Sequence, residues 1–392
     1  MIEHNLGYLL AYRNKISNKL FGTAHLPAQG AKKGNALLSY MTGPFTRAPG
    51  EFFTDPHTNY WECFEIARLL SERGYAVDCI NAGDATFLPR KSYAICIDVQ
   101  KNLARFAGAL PPSCKKVMHL TTSDGASQNA AERTRLDNLA ARRGVHFAPT
   151  RREEESRNPV IADYLEGFGN DAVKKTYAKY HKEIYPIPLS VSQEFPFPNK
   201  KDFAAARMEF LWAGGGGAVL KGLDLVVEAF AAMPEFTLHM VGPAAFEKGF
   251  AACYAHELSL PNIKRYARPH IDVEGRIFIE HRPYEELANR CAAFIYPSAS
   301  EGTSGAVVQG VHAGLIPLIT PRTGLDSAVG GITLPDDPTV ASIQAAVRTI
   351  AAMTPDTLRT MARQSWEFVR SHHTKETFSR AYGRFLDDIV KI

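Results

Sequence analysis

The 392-residue sequence predicts an α/β protein made of two doubly wound parallel-sheet domains that face each other across a cleft. Three observations lead there. From about residue 35 onward, short apolar runs alternate with amphipathic helical stretches, the pattern of parallel strands joined by crossover helices. That pattern breaks in a proline- and lysine-rich stretch, where Pro186, Pro188, Pro196 and Pro198 lie close together, and then restarts. The chain is also longer than one typical core, so two domains are expected, over 1–200 and 201–374.

In the first half, strands are expected at Ala36 to Tyr40, Ala76 to Ile80, Tyr93 to Ile97, Lys116 to Leu120 and Val145 to Ala148. A helix from about Tyr60 to Arg73 repeats Ile66, Leu69 and Leu70 on one face, and Gly74 stops it. A second helix is expected near Ala131 to Arg143. After the connector come strands at Glu209 to Ala213, Thr237 to Val241, Arg276 to Ile279, Ala293 to Tyr296 and Ile316 to Thr320. Helices at Leu223 to Ala231, Gly249 to Leu258, Tyr284 to Arg290 and Ser304 to Ala313 separate them, and a last amphipathic stretch covers Lys375 to Val390.

Composition narrows the function classes. Hydrophobic content of 45% and charged content of 22% fit an ordinary globular enzyme, and no apolar run is long enough to span a membrane. A net charge of +4, with the basic residues dispersed, argues against nucleic acid as a partner. Arg151 and Arg152, for instance, are answered by Glu153, Glu154 and Glu155. The six cysteines form no CxxC pair and read as reduced thiols of a cytoplasmic protein; the N-terminal stretch is too polar for a secretory leader. No HExxH or DxD pattern is present, so no metal site is expected. No strongly basic amphipathic helix stands out. The loop from Thr42 to Asn59, with Phe45, Phe52 and Phe53, is the candidate for peripheral contact at the inner membrane face.

Two strand–loop–helix junctions carry the chemistry. In PSASEGTSGAVVQGVHAGLIPLIT, from Pro297 to Thr320, small residues let backbone approach a ligand, and a helix opening near Ser304 offers free N–H groups to an anion. Glu301 lies on the loop and Gln309 two turns into the helix. In FLWAGGGGAVLKGLDLVVEAF, from Phe210 to Phe230, four glycines precede Lys221, which can place a point charge on a bound anion. The spacing matches neither a P-loop nor the GxGxxG dinucleotide fingerprint.

Together the two runs resemble the donor half of glycosyltransferase family 4, a retaining, nucleotide-sugar-dependent family with the GT-B fold of two Rossmann-like domains. The resemblance runs from about Phe210 to the C-terminus. It is traceable in the first half at ECFEIARLLSERGYAVD and IYPIPLSV. It implies a donor site in which Lys221 binds the diphosphate and stabilises the leaving group, and Glu301 touches the donor sugar. Gly302, Thr303, Ser304 and Gly305 would offer N–H groups to sugar and phosphate, and Gln309 would stand for the glutamate that accepts from the ribose. Gly214, Gly215 and Gly216 would line the diphosphate, with Arg282 and Tyr284 beside the base. The last helix, 375–392, would cross back to the first domain.

The chain departs from that pattern twice. Gly216 replaces an arginine expected five residues before the lysine, and an amide at Gln309 replaces the second glutamate. On the acceptor side, His57 and Thr58 stand where the family has paired glycines. Asp98 falls at the position of the family's catalytic-region histidine, with helix capping as its structural reading, and His119 ends the next strand on the cleft side. The expected partners are a nucleotide-sugar co-substrate and a glycan, lipid-linked or small-molecule acceptor, with no cofactor. A catalytically impaired binding or scaffold protein is the alternative, with an epimerase or phosphorylase of the same fold behind it. Lys221→Ala is expected to abolish transfer and spare the fold, since the lysine is read as sitting on a loop rim.

Overall fold

A computed structural model describes residues 2–47, 57–267, 269–271, 277–326 and 330–391. The first half of the chain contributes β1 (Thr23–Leu26), β2 (Gly34–Tyr40), β3 (Tyr75–Asn81), β4 (Ile95–Asp98), β5 (Lys115–Leu120), β6 (Tyr164–Gly167) and β7 (Ile184–Pro186). They form one sheet in the order β1-β3-β2-β4-β5-β6-β7, parallel except for β1, which runs antiparallel along β3.

The second half contributes β8 (Glu209–Ala213), β9 (Thr237–Val241), β10 (Ile263–Tyr266), β11 (His270–Ile271), β12 (Ile277–Ile279), β13 (Arg282–Pro283), β14 (Ala293–Tyr296), β15 (Ile316–Ile319) and β16 (Ile332–Thr333). A parallel sheet takes the order β10-β9-β8-β14-β15-β16, and β11, β12 and β13 make a separate antiparallel ribbon. Central strands such as β14 and β15 are buried at every residue, as strands covered by helices on both faces must be.

These two sheets are Rossmann-like α/β layers. Strand order reverses in the second sheet between β8 and β14, whose register pairs Ala293 with Phe210 and Phe294 with Leu211. The carboxyl ends of two such strands are where open α/β sheets place their ligand crevice. Both glycine-bearing junctions of the sequence leave from this point.

Several expectations change. Val145 to Ala148 forms no strand; it runs irregularly toward the second half, where the Phe147 ring faces Gly249. Its place in the sheet is taken by β6, which pairs with β5 from Val117 to Leu120. Helix Gly125–Arg143 starts six residues before Ala131, because the Asp124 side chain accepts from Ser127 N and caps it there. The strand expected at Arg276 to Ile279 lies in the ribbon, with Arg276 outside the described residues, and the edge of the main sheet is β10. The helix expected from Gly249 to Leu258 ends at Cys253 and gives way to a short 3-10 turn. Helix Ile2–Phe21 and β1 were not foreseen. Phe45 is buried against the Phe64 ring rather than presented outward, and Phe52 and Phe53 lie outside the described residues.

Helix Gly125–Arg143 joins the halves with a row of arginines. Arg135 donates to the Pro297 carbonyl at 3.0 Å, Arg142 pairs with Asp224 and Glu228, and Arg143 pairs with Glu257 at 2.7 Å. The final helix, Lys375–Lys391, packs on helix Asn59–Glu72: Ser379 donates to Glu65, and Arg73 binds both Asp387 and the Gly383 carbonyl. All six cysteines are free thiols.

Candidate functional site

The crevice at the strand reversal is built from three backbone features. Gly217 (φ +91°) and Gly222 (φ +69°) take left-handed conformations that other residues avoid. A Cβ on Gly222 would come within 2.6 Å of the Pro297 carbonyl, so the bare glycine is what lets the β8 loop touch the β14 loop. Across the cleft, a Cβ on Gly302 would come 2.4 Å from the Thr121 carbonyl, and Ser123 donates to the Glu301 carbonyl at 2.7 Å. The glutamate loop is therefore wedged against the carboxyl end of β5 in the first half.

Lys221 sits on the turn just before helix Leu223–Ala231, not within it and not on a rim. Its ammonium donates to the Tyr296 hydroxyl at 3.0 Å and lies 3.3 Å from Glu301 Oε1. Tyr296 in turn donates to the same Oε1 at 3.0 Å, and Ser298 does so at 3.2 Å. The Lys221 and Glu301 side chains are 12% and 19% exposed, so the pair is sheltered but open on one side. Burial depresses the Lys221 ammonium, yet Glu301 and Tyr296 outweigh it and hold the pKa above its ordinary value. Burial, reinforced by Glu301, raises the Tyr296 phenol. Every contact falls on Oε1; among the described residues Oε2 carries no hydrogen bond and remains able to accept a ligand hydroxyl.

Two further groups were missed by sequence reasoning. Glu247 accepts from Gly217 N at 2.6 Å and Ala218 N at 3.4 Å, so the glycine loop already holds a carboxylate on its N–H groups, as an anion cradle would. Arg151, from the first half, lays its aliphatic stem over Gly217, where a Cβ would meet its Cγ at 2.4 Å. Buried Glu132 accepts from Arg151 N at 2.9 Å, and buried Gln128 donates to its carbonyl at 2.8 Å. Its guanidinium has no hydrogen bond or ion pair among the described residues, and its charge is felt by Lys221 as repulsion. The adjacent glutamates had made Arg151 look neutralised. In the fold, Glu154 pairs with Lys101 instead.

The remaining sequence candidates separate. Gly214, Gly215 and Gly216 form the loop after β8, with Gly214 close under the Trp212 ring and Gly216 beside Glu247. Thr303 and Ser304 are buried, and the Ser304 N–H is taken by the Thr323 carbonyl at 2.9 Å, so it is not offered outward. Gly305 opens helix Gly305–His312. Gln309 does not face the crevice: its amide donates to the Gln193 carbonyl at 2.7 Å and accepts from Gln193 N at 3.2 Å, pinning the connector. A carboxylate cannot make both bonds. Arg282 is exposed on the ribbon, and the buried Tyr284 ring lies tilted against Phe195, 6.0 Å between centroids.

Neither acceptor-side acid–base candidate reaches the cleft. Asp98 is fully buried and accepts from Leu103 N at 3.0 Å and from the Asn158 amide, which is the capping role; burial raises its pKa. His119 is sealed beneath the final helix, bonded to Glu166 at 2.8 Å and edge-on to Phe168. Burial would lower its pKa, but Glu166 prevails and raises it. His57 is exposed, and Thr58 is buried before helix Asn59–Glu72. Among the described residues, no three His, Cys, Asp or Glu side chains gather as a metal site.

No protein-family model matches the chain, and no curated protein matches it in sequence. Solved structures do match. Sucrose-phosphate synthase from Thermosynechococcus elongatus is 14% identical, with a TM-score of 0.62 over 92% of this chain and 100% of that one. HepE of Anabaena, crystallised with UDP and glucose, is 13% identical, with a TM-score of 0.57 over 91% and 99%. WaaG, a glycosyltransferase involved in lipopolysaccharide biosynthesis, is 14% identical, with a TM-score of 0.54 over 89% and 98%. At these identities the likeness concerns the fold, and the fold is GT-B.

Proposed function

We propose that the chain is a glycosyltransferase of the retaining, family-4-like kind, moving a sugar from a nucleotide-sugar donor to a glycan, lipid-linked or small-molecule acceptor. One observation carries this reading: a half-buried lysine, a buried tyrosine and a glutamate converge at the strand reversal where a GT-B fold binds its ligand. The donor would lie on residues 201–374 and the acceptor on residues 1–200. A protein of similar fold, HepE, was crystallised with UDP and glucose, which fits a nucleotide-sugar donor for this chain.

The roles follow from charge. A departing nucleoside diphosphate gains negative charge as the glycosidic bond breaks, and cations fixed beforehand in a sheltered site stabilise it most in the transition state. Lys221 supplies one. Arg151, over the glycine loop, supplies a second that Gly216 does not, so the transfer is read as metal-independent and without a cofactor. Phosphate oxygens would displace Glu247 from the Gly217 and Ala218 N–H groups. Glu301 Oε2 would accept a hydroxyl of the donor sugar, while Tyr296 and Ser298 hold the carboxylate in place.

A binding protein without turnover is the second reading, favoured by Gln309 being committed to the connector. Incubation with UDP-, GDP-, ADP- and dTDP-sugars, followed by release of free nucleotide, tests both. Slow donor hydrolysis that Lys221→Ala lowers by about 100-fold or more supports the transferase. Binding with no turnover under any acceptor would favour the second reading, and binding of no nucleotide sugar would sink both.

A further inference from the structure

Helix Ile2–Phe21 is packed inside out. Its inward face is small and polar: Ala11 and Asn14 are buried. The Asn14 amide donates to the carbonyls of His25 at 3.0 Å and Phe45 at 3.1 Å and accepts from His25 N at 2.8 Å. Ser17 shares hydrogen bonds with Thr23 at 3.0 Å and His25 at 3.2 Å. The outward face carries Leu9, Tyr12, Ile16 and Leu20, which are 45% to 65% exposed, and ends on Phe21 at 70%. Spacings of three and four residues put the first four on one stripe. An ordinary surface helix is arranged the other way, and an unbroken apolar stripe left in water marks a contact surface.

Charge decides what it contacts. Arg13, Lys15 and Lys19 are exposed beside the stripe, and from Gly7 to Phe21 the helix has no Asp or Glu. A second copy laid on this face would set these cations against their own kind. An anionic lipid surface satisfies both features, because the stripe enters the acyl boundary while the cations meet headgroup phosphates. Among the described residues no helix is long and apolar enough to cross a bilayer. On such a surface the helix would lie in the interface plane.

We propose that helix Ile2–Phe21 docks the protein on anionic membrane surfaces through this stripe and its flanking cations. The proposal goes beyond the sugar-transfer reading, and its test needs no turnover. Co-sedimentation of the full chain is compared on vesicles of phosphatidylcholine alone and of phosphatidylcholine mixed with phosphatidylglycerol. The expected result is partition onto the mixed vesicles, weakened by added salt. Ile16→Ser with Leu20→Ser should lower it by about tenfold or more, with circular dichroism and Tm unchanged because both side chains are exposed. Lys15→Gln with Lys19→Gln should lower it by roughly fivefold per charge on the anionic vesicles only. Equal partition of parent and serine variant, or no partition onto either vesicle, overturns the proposal. So does a dimer in light scattering that the serine variant converts to monomer.

Discussion

Two clusters in this molecule use the same chemistry to opposite ends. Against the first sheet, His119 and Glu166 meet Tyr382 of the final helix and bring a base, a carboxylate and a phenol together; in the second half, Lys221, Glu301 and Tyr296 do the same. The His119 and Glu166 side chains are 0% exposed, whereas those of Lys221 and Glu301 keep 12% and 19%. In the sealed cluster Glu166 serves both His119 and Tyr382, and aromatic rings close over the histidine. In the open one, among the described residues, every side-chain contact of the carboxylate gathers on one oxygen and leaves the other without a hydrogen bond. Polar convergence alone does not make a site; access to a ligand does.

The comparison breaks first on stability. His119→Ala should destabilise the fold by about 3–5 kcal/mol in chemical denaturation, since it strands a buried carboxylate, while leaving nucleotide binding per folded molecule unchanged. A variant that stays as stable as the parent would show that the sealed cluster is not structural. Lys221→Ala should act the other way, with turnover falling by about 100-fold or more and stability by roughly 1–3 kcal/mol. A loss of that size would run against the expectation of an untouched fold; its cause is that Glu301 and Tyr296 lose their partner in a sheltered place.

A third acid–cation pair lies at the seam between the halves. Burial raises Asp224, against the pull of Arg142, to about 6 from an ordinary 3.8. A carboxyl with a raised folded pKa binds its proton more tightly in the native state. Its contribution is then full below about 4 and is lost as pH rises through about 6. Asp224→Asn should flatten the stability profile across that window, by about 3 kcal/mol at most. An unchanged slope in denaturation at pH 4 to 7 would assign the seam no titrating role.

The smallest effect concerns Gln309. Gln309→Glu restores the residue type the family resemblance anticipates, yet the fold uses the amide as a two-way clasp on Gln193. The expected loss is about 1–2 kcal/mol of stability with no gain in donor affinity. Tighter donor binding in this variant would return Gln309 to the ribose.

Much of the second half was legible because its elements are local. Leu223–Ala231, Thr237–Val241, Tyr284–Arg290 and Ala293–Tyr296 fall where apolar periodicity placed them, and Lys221 and Glu301 were marked by their glycine-rich settings. What was illegible is what depends on distant partners. Arg151 meets Gly217 only because two loops face each other across the cleft, and Glu247 reaches the same loop from beyond β9. Asp98 and His119 lie at the carboxyl ends of their strands, but only the packing of Asn158 and the final helix reveals that both are closed off. Helix Ile2–Phe21 hid for a different reason: its apolar stripe turns outward, against the rule by which sequence patterns are read.

The most direct test of the central claim is calorimetric titration with UDP, GDP, ADP and dTDP, each set against its nucleoside. The parent chain should bind one diphosphate in preference to its nucleoside. That preference should fall by about tenfold or more in both Lys221→Ala and Arg151→Ala, and persist in His119→Ala. A parent chain that binds none of the four, or a preference that survives loss of both cations, would contradict the account.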